Sequence, residues 1–156
     1  MTLLKAYFTK YPEDAEKVIL SIKGGINLSK YQPDGTPEGI AKSINNCMEQ
    51  LGGTKKIDLF ECARVDRKTP IETTMKALEE HVKKGDIGGI CLSECSAATV
   101  EAAAKVTKIW GVEVEFSLWS LDVLSNGVAA ACAKNGIPLI AYVYFHFPFS
   151  SLYLLS

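Results

Sequence analysis

Neither sign of charge dominates this chain. Its 17 lysines and arginines stand against 18 aspartates and glutamates, a formal net charge of −1. No basic run or stripe gives a polyanion a foothold, so nucleic acid is not an expected partner. Histidine is scarce, with two in the chain, and both lie far in sequence from Cys91 and Cys95. That argues against a zinc site. The cysteines are an odd number and scattered (Cys47, Cys62, Cys91, Cys95, Cys132), and four sit among apolar neighbours. The pattern suits reduced, buried thiols in a cytoplasmic protein better than a disulfide framework. Residues Met1 to Lys5 lack the layout of a signal peptide. A long unbroken apolar run is missing too. From Ile137 to Ser156 no residue is charged, but Pro138, His146, Pro148 and Ser150–Ser151 interrupt the stretch. A membrane span needs a nearly continuous run, so no membrane partner is expected.

What the chain does contain is alternation. Val18–Ile22 is mostly β-branched and apolar, and it is followed by Lys23 and the pair Gly24–Gly25. Such a run closed by glycines reads as a buried strand and its turn. Thr36 then caps a helix with Pro37 at its first position, Ile40, Ile44, Cys47, Met48 and Leu51 on one face, and Gly52–Gly53 at its end. Residues 56–62 form the second strand. Thr69 and Glu72 form an expected capping box for a helix ending at Gly85. Strands over 87–92, 110–116 and 138–142 follow, separated by helices from Ser96 to about Val106 and from Leu121 to Lys134.

Strands alternating with helices imply right-handed crossovers and a parallel sheet. An open doubly wound sheet would carry a glycine-rich phosphate turn after its first strand. Lys23-Gly24-Gly25 is no such turn. The expected fold is therefore α/β, a partial (β/α)8 barrel of about five parallel strands with outer helices. A closed barrel needs eight strands and about 250 residues. Lys23 falls at the carboxyl end of the first strand, the face where such folds bind ligands. A lysine there has two readings, a functional ammonium or a stem packed along the strand with its head in water.

Six blocks carry a likeness to a known family. They are VILSIKGG (18–25), IDLFECARVD (57–66), PIETT (70–74), ICLSECS (90–96), VEVEFSLWS (112–120) and PLIAY (138–142). In this order and spacing the chain resembles the aldo-keto reductases, and within them the pyridoxal reductase branch. The resemblance implies NADPH as cofactor and hydride transfer between its nicotinamide and a small carbonyl substrate, pyridoxal-like in this branch. It makes Lys23 the catalytic lysine, which favours the phenolate of a tyrosine acting as proton donor. It makes Ser93, Glu94 and Glu113 cofactor-binding residues near the nicotinamide carboxamide, and Tyr142 the ring stacked on the nicotinamide. Read alone, Ser93 also suits an N-cap region and Tyr142 a core aromatic. Glu113, between Val112 and Val114, needs a polar interior or a partner. The likeness has gaps. Ala63 stands where the family carries a histidine, and no aspartate–tyrosine pair precedes Lys23 on a loop. Residues 143–156 are expected to be an apolar tail unrelated to the family. A second reading follows, a truncated and catalytically inactive fragment or a non-enzymatic interaction module on the barrel scaffold.

Overall fold

The computed structural model describes residues 1–142; the expected unrelated tail over 143–156 lies outside them. Helix α1 (Thr2–Lys10) leads into strand β1 (Ser21–Gly24), then a hairpin of β2 (Ile26–Asn27) and β3 (Gln32–Pro33). The alternation follows: α2 (Pro37–Leu51), β4 (Ile57–Cys62), α3 (Ile71–Lys84), β5 (Ile87–Ser93), α4 (Ala97–Ala104) and β6 (Ile109–Glu115). Helices α5 (Asp122–Ser125) and α6 (Val128–Lys134) precede β7 (Leu139–Tyr142).

The main sheet has five strands in the order β1-β4-β5-β6-β7, every neighbouring pair parallel. Spatial order equals chain order, so there is no reversal point of the kind a doubly wound sheet has. Helices α2, α3, α4 and α6 pack each against the next, which places them in one layer. Ile22, Phe60, Ile90, Leu92, Val112 and Val114 face that layer and are buried. Beneath them lie Ile40, Ile44, Met75, Leu78, Val100 and Ala103, all at 0 % exposure. Side chains alternate along a strand, so the intervening residues point to the opposite face, the one a barrel encloses. The expected partial barrel is what forms.

Several local expectations need correction. The first strand was expected over 18–22 but begins at Ser21. Ile19 is 77 % exposed. The backbone of Leu20 is occupied instead at the sheet's entrance. Its carbonyl accepts from the N–H groups of Asp58 and Leu59, and its own N–H donates to the Asp58 carboxylate at 2.7 Å. Thr36 caps α2 as expected, accepting from the Gly39 N–H at 3.1 Å. The capping box at Thr69 does not form. Thr69 donates its hydroxyl to Asp66 at 2.8 Å, and Pro70 stands at the helix entrance without a side-chain cap. An ionised carboxylate is the stronger acceptor, and Asp66 also collects the N–H groups of Gly35 and Lys68. The single helix expected over 121–134 is broken in two at Gly127, whose φ of 84° no helix accommodates. The β2–β3 hairpin occupies what read as a polar loop.

Candidate active site

The carboxyl ends of β1, β4, β5 and β6 bring four polar residues together on the face away from the helices. Parallel register sets this up. Lys23 stands beside Glu61, Glu61 beside Cys91, and Ser93 beside Glu113. Lys23 therefore lies inside β1, not after it. Its Nζ donates to Ser93 Oγ at 2.9 Å and meets Glu113 Oε1 at 3.0 Å. These two contacts use two of the three donors an ammonium has. The same Nζ lies 5.2 Å from the centre of the Tyr142 ring, a cation–π distance.

Each expected site residue has a definite place. Ser93 is not a helix cap; that role belongs to Ser96, which accepts from the Thr99 N–H at 3.2 Å. Glu113 has the partner a carboxylate in a buried strand needs. Tyr142 is half-buried rather than a core ring, and its hydroxyl donates to Glu94 Oε1 at 2.6 Å. Glu94 sits just past β5 with φ at 48°, a left-handed conformation uncommon outside glycine. Its carboxylate is tied to protein groups, accepting also from the Glu115 N–H at 2.6 Å. The hydroxyl bond to Glu94 and the burial of the ring push the Tyr142 phenol up to about 12. Lys23, Ser93, Glu113 and the Tyr142 ring thus converge, and Glu94 joins them through the Tyr142 hydroxyl.

Sequence reasoning missed Glu61. It is 1 % exposed, and its Oε2 has no hydrogen-bond partner among the described residues. Burial, then the hydrogen bond and the negative charge of Glu113, push its carboxyl up to about 8, against a weaker pull down from Lys23. For Glu113 burial pushes up as well, but the hydrogen bonds from Glu61 and Lys23 outweigh it and its carboxyl is lowered. Two neighbouring carboxyls cannot both ionise freely. The available signal was Glu61's place near the carboxyl end of its strand, as for Lys23. No group of histidine, cysteine or acidic residues among the described residues is arranged to hold a metal.

Above the strand ends, a cavity of about 440 Å³ is bordered by Gln32, Arg64, Arg67, Lys68 and Glu94. Of the expected site residues, Glu94 borders it.

A sequentially ordered parallel sheet with one helical layer defines part of a β/α barrel, a fold whose sites lie at the carboxyl ends of its strands. The chain belongs to the aldo/keto reductase family, whose sequence model matches residues 2–151. It is 48 % identical over 145 residues to the probable pyridoxal reductase 2 of Schizosaccharomyces pombe, covering 93 % of this chain and 44 % of that protein. It is 38 % identical over 148 residues to the putative pyridoxal reductase of Saccharomyces cerevisiae, covering 87 % and 41 %. The chain thus spans less than half the length of these curated relatives. The crystal structure of a thermostable aldo-keto reductase superposes with a TM-score of 0.77 at 22 % identity, covering 99 % of this chain and 52 % of that one. No helix among the described residues is long and apolar enough to cross a membrane.

Proposed function

We propose that this chain carries the lysine-bearing part of an NADPH-dependent carbonyl reductase site, with pyridoxal or a similar small aldehyde as substrate. The observation that carries the reading is the Lys23 ammonium held by Ser93 and Glu113 under the Tyr142 ring. The residues fit a nicotinamide. A carboxamide offers two N–H donors and one carbonyl acceptor. The Glu113 carboxylate accepts, and the Ser93 hydroxyl, already accepting from Lys23, has its own hydrogen free to donate. Tyr142 offers an aromatic face. When bound, the cofactor would supply the hydride. Ser93 and Glu113 would orient it, and Glu94 would act at one remove by fixing the Tyr142 ring. Lys23 would place a positive charge where the carbonyl oxygen gathers negative charge, or would lower the pKa of a phenol that protonates it. The names of the two yeast relatives support pyridoxal as the substrate to try.

A second reading, a non-catalytic binding module on this scaffold, is favoured by one observation. The hydroxyls of Tyr7 and Tyr142 donate to the carboxylates of Asp14 and Glu94, and among the described residues no tyrosine hydroxyl bonds Lys23. A purified chain separates the two. The first reading expects NADPH oxidation with pyridoxal that falls on the order of 10²-fold or more in Lys23→Met. NADPH fluorescence showing binding without turnover would leave the second. No binding at all would overturn the cofactor assignment.

A further inference from the structure

Glu61 has no place in the roles so far assigned, yet it is the most deeply buried carboxyl among the described residues. The groups around it are few. Lys23 faces it from β1, Cys91 from β5 and Glu113 from β6, with the Ser93 hydroxyl beyond. The neighbouring Cys62 points to the other side of the strand. One cation thus stands near two carboxyls, and Glu113 already pairs with it at 3.0 Å. A second carboxylate in the same dry site would go uncompensated, and buried charges are retained only when paired. A protonated Glu61 removes that conflict. It becomes a hydrogen-bond donor, and the acceptor beside it is Glu113.

We propose that Glu61 is a positioning residue: it keeps its proton, donates it in a hydrogen bond to Glu113, and thereby holds the Glu113 carboxylate on the Lys23 ammonium. The role assigned to Lys23 rests on the reductase reading above, whereas the protonation of Glu61 does not. With the proton in place, Lys23, Glu113 and Glu61 together carry no net charge. If it left, the cluster would turn net negative and Glu113 would be pushed away from its neighbour.

Infrared spectroscopy of the purified chain in heavy water reads the proton directly. Near neutral pH, after ordinary carboxyls have ionised, the protein should retain one protonated-carboxyl band that fades only in alkali. The band should vanish in Glu61→Gln. In Glu113→Gln the band should persist but move, because an amide carbonyl replaces the carboxylate as acceptor of the Glu61 proton. A wild-type chain without the band, or a band that survives Glu61→Gln, overturns the proposal. If Glu61→Gln fails to fold, the position of the band in Glu113→Gln decides, and an unmoved band overturns the proposal. A second arm titrates NADPH by fluorescence. Glu61→Gln keeps a donor and should bind within about twofold of wild type, while Glu61→Leu should weaken binding on the order of tenfold, the cost of one hydrogen bond. Equal weakening in both would overturn positioning through a donated hydrogen bond. A wild-type chain that binds no NADPH defeats the reductase reading, and the infrared band still decides for Glu61.

Discussion

A carboxyl group sealed from water on a strand has consequences for the free protein as well as for the site. As pH rises through the ordinary glutamate range, an unfolded chain releases the Glu61 proton while the folded chain keeps it up to about 8. The folded state then binds more protons, so stability falls with pH across that window. Glu113, lowered in the folded state, acts in the opposite sense. Its stabilisation is present above the ordinary range and is lost as pH falls through its folded value. Glu61→Gln should therefore lose part of the alkaline decline. Between about pH 5 and pH 9 its melting temperature should drop less than that of wild type in thermal unfolding followed by circular dichroism. An equal drop in both would show that Glu61 ionises as an ordinary surface glutamate does. At this scale the site was half legible. Lys23, Ser93, Glu113 and Tyr142 were picked out by motif likeness, and the fold brings Ser93, Glu113 and the Tyr142 ring each to Lys23. Glu61 was not, because its importance depends on standing beside Lys23 and near Glu113, and that follows from sheet register, which no local pattern in the chain states.

Strands and helices were read well where periodicity and punctuation agree, and poorly where a side chain competes for the backbone. Helix α2 shows agreement, with Thr36 as cap, Pro37 first, and Gly52 closing it in the left-handed region. Thr36→Ala should cost about 1 kcal/mol in urea unfolding, somewhat more if the hydroxyl's bond to Asp34 at 2.6 Å contributes. Thr69→Ala is the matched control. Its expected capping role is not realised, so its cost measures only the bond to Asp66. If the two substitutions reversed in order, the cap assignments would be wrong. Gly88 tests the sheet in the same way. A Cβ there would lie 2.6 Å from the Asp58 carbonyl oxygen, which is backbone and cannot turn aside. Gly88→Ala should destabilise by about 1–3 kcal/mol through forced overpacking between β4 and β5. The division of α5 from α6 was unreadable for a different reason. Gly127 within an apolar, alanine-rich stretch is tolerable to a helix, but the Asn126 side chain takes up the backbone there, accepting from the Val128 N–H at 3.0 Å beside the left-handed Gly127.

Across the whole molecule, one apolar layer between sheet and helices holds the fold together, while the sheet's other face carries the polar cluster. Phe60 lies at the centre of that layer with 0 % exposure, on a strand flanked by two others. The five thiols sample the structure widely, from α2 (Cys47) through β4 (Cys62), β5 (Cys91) and the turn after it (Cys95) to α6 (Cys132). Burial pushes Cys62, Cys91 and Cys95 up to about 12 and raises Cys47 and Cys132 as well. A thiol reacts as its thiolate and only when reached, so labelling by a disulfide reagent near pH 8 reports opening of the structure and not the ordinary chemistry of cysteine. If the layer is one cooperative unit, the native chain should label slowly at all five positions and fast in denaturant. Phe60→Ala removes a buried ring at a cost of about 3–5 kcal/mol, a large share of the 5–15 kcal/mol typical of domains. It should speed labelling of distant Cys132 by a factor similar to that of neighbouring Cys62, because both would open through the same global event. Acceleration confined to Cys62 would instead mean that β1 and β4 open separately from the rest. In that case the cluster linking Lys23 to Ser93 and Glu113 would span a seam in the molecule, and its geometry would depend on that seam staying closed.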